Sequence, residues 1–120
     1  MIQFRKEQLA AIEGHEVWLA QRLLPIVQKV HPMVSGRLGA SGTERRIITA
    51  VRQAKRLSIE APENRVRFVH LAFALDSDTL DTAPETRWVP EILGWLDADE
   101  ELKLAALEKR ARKEIMRSFR

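Results

Sequence analysis

Cysteine is absent from these 120 residues, which excludes disulfides, thiolate metal sites and a thiol nucleophile. The histidines are only His15, His31 and His70, and they form neither an H-x-x-x-H nor an H-E-x-x-H ligand pair. The five serines include no G-x-S-x-G elbow. No apolar run approaches the roughly 20 residues that span a bilayer. The opening MIQFRKEQLAAIEGHE has no apolar core of a secretory signal. Repeats, low-complexity tracts and strand-like alternation are also missing. The expectation is a cytoplasmic protein with no membrane span, no bound metal, no cofactor and no enzymatic activity.

What is present is an ordinary folded composition, 45% hydrophobic and 31% charged, in a length that suits one domain over residues 1–120. The most informative stretch is Val66–Leu75, VRFVHLAFAL. Its apolar positions run almost all the way round a helical wheel, and a helix apolar on every side is a buried central one. The ordinary account of His70 within it is a hydrogen-bonded core or boundary residue.

Helical spacing also governs the flanks. From Phe4 to Val30, the residues Leu9, Ile12, Leu19, Leu23, Ile26 and Val30 draw one apolar stripe, interrupted by Glu16. Pro25 predicts a bend, because it lacks a backbone donor and crowds the preceding turn. The stretch HPMVSGRLGASG holds three of the five glycines and reads as a loop. Ser41-Gly42-Thr43-Glu44 has the form of a capping box, starting a helix to about Leu57 with Ile47, Val51 and Ala54 inward. Glu63 or Asn64 would start the central helix. DSDTLDTAPETRW then reads as a polar loop. A short helix from Trp88 to Leu96 follows, and a last helix, capped by Asp97 or Asp99, carries an inward seam of Leu104, Leu107, Ala111 and Ile115. The prediction is an all-α, single-domain bundle of about five helices around a buried central helix.

Charge is distributed in blocks. Residues 1–75 carry 12 basic and 6 acidic groups, residues 76–101 carry 1 and 9, and residues 102–120 carry 7 and 2, so the net +3 hides blocks of +6, −8 and +5. Opposite-signed surfaces suit a charged partner and leave self-association open, although mutual neutralisation in the fold would account for them equally. Asp76-Ser77-Asp78-Thr79-Leu80-Asp81 departs from a calcium loop where Leu80, Asp81 and Arg87 stand at its fifth, sixth and twelfth places. A helix-turn-helix would set VRFVHLAFAL as the recognition helix, which has almost no polar side chains for base edges. Nucleic acid is therefore not the expected partner; a small nucleic-acid-binding regulator is a third reading of the chain, which a mobility-shift gel at low salt would test. The residues best suited to a protein partner are Asp78, Asp81, Glu85 and Trp95, an acidic rim beside a large apolar anchor.

One combination extends across most of the chain. Phe4-Arg5-x-Glu7-Gln8-Leu9 and Arg22-Leu23 are followed by Ile48-x-x-Val51-x-x-Ala54, Ile59 and Glu63-Asn64. Next come Val66-x-x-x-x-Leu71-x-Phe73-x-Leu75, Asp78, Asp81 and Pro84, and then Trp88-x-x-x-Ile92-Leu93. In order and spacing this resembles small helical proteins encoded beside type VI secretion spike and toxin genes in Gram-negative bacteria, over roughly residues 4–93. The chain departs from that pattern at Pro25, in the acidic loop and in the basic tail after Asp97. The resemblance implies a non-enzymatic adaptor or chaperone that holds a secreted toxin or spike component. It also leaves room for an immunity protein that neutralises a cognate toxin.

Overall fold

The computed structural model describes the backbone of residues 2–118 and the side chains from Glu16 to Ser118. Five helices follow one another: α1 Ile2–Val30, α2 Pro32–Arg56, α3 Pro62–Ala74, α4 Trp88–Leu93 and α5 Glu100–Ser118, with a 3₁₀ turn at Pro84–Thr86. Among the described residues there is no strand, so the fold is all-α. The chain forms two compact units, Met1–Ile48 and Thr49–Arg120, divided within α2.

In the first unit, α1 continues through Pro25. The pyrrolidine forfeits only one backbone bond, to the carbonyl four residues back. Among the described side chains of α1, the buried stripe is Glu16, Ala20, Leu23 and Val27. This corrects the predicted stripe: Ile26 and Val30 are 48% and 55% exposed, and the side chains of Leu9 and Ile12 lie outside the described residues. The true stripe has the same steps of four, three and four but is built on small Ala20 and compact Val27, which let a helix face seat closely. Leu23 is buried as predicted, whereas the places expected of Ile26 and Val30 are not inward and Val27 is buried instead.

The predicted loop at 31–42 is helical instead. Pro32 opens α2, where its fixed φ is already helical and no N–H is missed, and the Ser35 hydroxyl donates to the His31 carbonyl at 2.7 Å. Of the three glycines only Gly39 interrupts the helix, with φ 73° and ψ 171°, a left-handed φ that costs glycine little. The Thr43 hydroxyl donates to the Gly39 carbonyl at 2.7 Å, satisfying an acceptor that the break exposes. Ser41, the predicted cap, lies within the helical run and is exposed.

In the second unit, α2 buries Ala50, Val51 and Ala54 and ends in a left-handed residue, Ser58 (φ 65°). Ile59 N–H donates to the Ala54 carbonyl and Ser58 N–H to the Lys55 carbonyl, the paired bonds of a Schellman end. α3 ends the same way: Asp76 has φ 50°, with Ser77 N–H donating to Ala72 and Asp76 N–H to Phe73. Between these ends, Phe68, Val69, Leu71, Ala72 and Phe73 are buried. α3 and α4 both pack on α5, whose Leu104, Leu107 and Ala111 are buried as the seam predicts.

The start of α3 is capped from a distance. Ala61 is its N-cap and offers no side-chain acceptor, and Pro62 follows. The Glu100 carboxylate, at the head of α5, instead accepts from the backbone N–H of Glu60 and of Ala61, each at 2.9 Å, and from Asn64 Nδ2 at 2.8 Å. One turn along, the Arg67 guanidinium donates to Glu108 through Nη2 at 2.5 Å and Nε at 3.3 Å, and to Glu101 at 2.8 Å. Such a fork fixes orientation as well as adding energy. α5 has its own cap, Asp99 Oδ1 accepting from Leu102 N–H at 2.9 Å.

Candidate protein-binding face

The segment between α3 and α4 is acidic in sequence, yet it is held closely. Leu80 is fully buried and its carbonyl accepts from the Thr86 hydroxyl at 3.1 Å. Gln53 Nε2 donates to the Asp78 carbonyl. Arg56 donates to Asp81 Oδ2 through Nη2 at 2.9 Å and Nε at 3.3 Å. The Ser77 hydroxyl accepts from Thr79 N–H at 3.1 Å, a local turn of the kind short polar side chains favour.

These restraints sort the four candidate residues into three places. Asp78 and Glu85 are exposed and line a shallow hollow of about 360 Å³ together with Asp76, Trp88 and Glu114. Asp81 is engaged with Arg56, its side chain 12% exposed, so it serves the loop and offers little to a partner. Trp95 stands apart from the hollow, 48% exposed just after Gly94, and Leu96 beside it is 98% exposed. Trp88 is a wall residue, 7% exposed, with the Arg110 guanidinium 5.5 Å from its ring centre. Arg110 also donates to Glu114 at 2.9 Å, which tempers the charge on that side of the hollow.

Sequence reasoning passed over Leu96 and Glu114. The signal for Leu96 was present: Gly94 ends the short helix, and an apolar residue stranded between a helix end and Asp97-Ala98-Asp99 has little to pack on. Glu114 carries no such mark, since its place beside Trp88 depends on how α5 lies against α4.

Comparison with known protein families, curated proteins and solved structures finds no match. The site therefore has to be interpreted from its own chemistry. Among the described residues no group of three His, Asp or Glu side chains is placed to hold a metal ion, and no helix is long and apolar enough to cross a membrane. Residues 91–101 hold five acidic groups and no basic one, around Trp95 and Leu96. Three groups of the unit have shifted protonation, and hydrogen bonds to Glu108 and then Glu101 raise the Arg67 guanidinium against the effect of its burial. Burial lowers the His70 imidazole below its ordinary value. At Glu100 burial alone would raise the carboxyl, but the bonds from Asn64, Glu60 and Ala61, with the charge of Arg65, outweigh it and hold the group below the ordinary range. All three shifts belong to contacts of the fold, so Glu100 and Glu101 serve α3 as well as lying in the acidic stretch. Around Trp95 and Leu96 the chain presents two apolar side chains, 48% and 98% exposed, near Glu91 and Asp97 in sequence.

Proposed function

We propose that this chain is a non-enzymatic protein-binding accessory, an adaptor or chaperone for a type VI secretion toxin or spike component. Its partner docks on Trp95 and Leu96 with a basic surface. The carrying observation is the exposure of those two neighbours, 48% and 98%, between Glu91 and Asp97 in a stretch that holds no base. Covering a leucine-sized side chain contributes about 1.5–3 kcal/mol, tryptophan is enriched among residues that dominate binding energy, and the acidic rim orients a basic partner. The resemblance of its motif order to that of type VI accessory proteins is what supports the choice of partner class.

The test is titration calorimetry against the products of the adjoining genes. Trp95→Ser with Leu96→Ser is expected to weaken binding by about 30-fold or more with an unchanged melting temperature. Unchanged affinity in the double variant rejects this face. An immunity protein is the second proposal, favoured by the exposed carboxylates Asp78 and Glu85 in the hollow. It predicts that a bound toxin loses activity, whereas an adaptor leaves the toxin active.

A further inference from the structure

The outward side of α5 is a charged surface of the second unit, opposite in sign to the stretch around Trp95. At about 100° per residue, Leu104, Leu107 and Ala111 lie about 140–160° from Lys109, whereas Arg112, Lys113, Met116 and Arg117 lie within about 80° of it. The first three are buried; Lys109 and the other four are exposed. From Lys109 to Arg117 the sequence holds five basic residues and one acidic, Glu114. Glu114 sits on the flank, where Arg110 donates to it at 2.9 Å and Arg117 stands 3.6 Å away. Arg112 donates to the Glu108 carbonyl at 3.4 Å. Among the described residues no carboxylate pairs with Lys109, Arg112 or Lys113. The helix dipole explains little of this surface, since it acts within the last turn, which holds Arg117 alone.

We infer that the outward face of α5 binds the phosphate backbone of double-stranded DNA without reading its bases. Lys109, Arg112, Lys113 and Arg117 span about 12 Å along the helix axis. That length of duplex carries about seven phosphates on its two strands. The arginine fork and the mobile lysine ammonium both suit phosphate oxygens. Such contacts carry no sequence information, so the scarcity of polar side chains on α3, which argues against base readout, does not bear on α5. A lipid surface fits less well. An interfacial helix buries a broad apolar face, and Met116 is the one large apolar side chain exposed among these four cations. An acidic protein would lack an apolar anchor here for the same reason. The inference is independent of a toxin or spike partner, whose proposed surface lies at Trp95 and Leu96.

The experiment titrates the full chain into short fluorescent DNA duplexes of two unrelated sequences and follows anisotropy as salt is varied. Wild type is expected to bind both alike, with log Kd rising against log salt at a slope of about 3–4 for four neutralised phosphates. Affinity then falls about 100-fold between about 50 and about 200 mM salt. Lys109→Gln with Lys113→Gln keeps helix propensity and removes two cations. It is expected to lower the slope by about 2 and to weaken binding at least about tenfold at the lower salt. Its melting temperature by circular dichroism should be unchanged, and Arg112→Gln with Arg117→Gln gives the same readout should the first variant melt early. Vesicles containing phosphatidylglycerol, tested by co-sedimentation, separate lipid from DNA and are expected to leave the protein in solution. No binding to DNA at the lower salt, a strong preference for one duplex, or a double variant with the wild-type slope would each overturn the inference. So would capture by the vesicles more tightly than by DNA. Each would leave the adaptor proposal standing, because that is measured with protein ligands and with Trp95 and Leu96 changed.

Discussion

At the scale of single residues, two side chains show opposite uses of position. Phe73 is 1% exposed in α3, and Phe73→Ala would remove a ring's worth of packing and leave a cavity. The expected cost is about 3–5 kcal/mol, a large share of a small protein's stability, measured by urea unfolding. Ser58 holds a left-handed φ of 65°, a conformation costing an L side chain about 1–2 kcal/mol relative to glycine. Glycine's greater freedom in the unfolded chain offsets part of that. Ser58→Gly is therefore expected to stabilise by roughly 0.5–1 kcal/mol and to raise the melting temperature. An unchanged or lower melting temperature would show that the serine conformation carries no strain. His70 adds a pH dependence. Its pKa is lowered by burial, so the unfolded chain takes up a proton more readily than the native one. Its contribution is intact above the ordinary imidazole value and is lost as pH falls through that value toward the lowered one. His70→Gln should flatten the stability profile over that window.

Elements were legible wherever periodicity alone decided them. Leu104, Leu107 and Ala111 in α5, and Val51 and Ala54 in α2, face inward as their spacing says, because nothing in those stretches competes with the helical repeat. Residues 31–42 were misjudged because glycine was weighed as a breaker three times, when Gly36 and Gly42 are carried inside the helix and only Gly39 breaks it. The stripe on α1 was misjudged because a small alanine outranks an isoleucine where surfaces approach closely. The candidate site was legible in its charge and in Trp95, but not in its partition. Nothing in the order of residues ties Asp81 to Arg56, 25 positions away. The cap of α3 was hidden for the same reason, and it gives the clearest prediction at this scale. Glu100→Ala removes a charged acceptor from two backbone donors and Asn64, and is expected to cost about 1–3 kcal/mol. The depressed carboxyl stabilises above the ordinary glutamate value, and that stability is lost as pH falls through the lowered native value. The variant's unfolding free energy should approach that of wild type in acid, and a constant gap across pH would refute an ionised cap.

For the whole molecule, α5 has three duties in the second unit. It covers α3 and α4 with Leu104, Leu107 and Ala111, pairs Arg67 through Glu101 and Glu108, and supplies Glu100 to the head of α3. Ending the chain at Asp99 should therefore abolish cooperative unfolding of that unit by circular dichroism, since its remaining helices lose both their apolar cover and their cap. A sharp transition in the shortened chain would show that α3 and α4 suffice by themselves. The distance between Glu60 and Glu100 also has a bearing on synthesis. At about 5–20 residues per second, the ribosome needs about 2–8 seconds to add the forty residues that separate the amide from its acceptor. Through that interval the nascent α3 begins with open amides and lacks its apolar cover, so this stretch is open to any chaperone that binds apolar segments of an emerging chain.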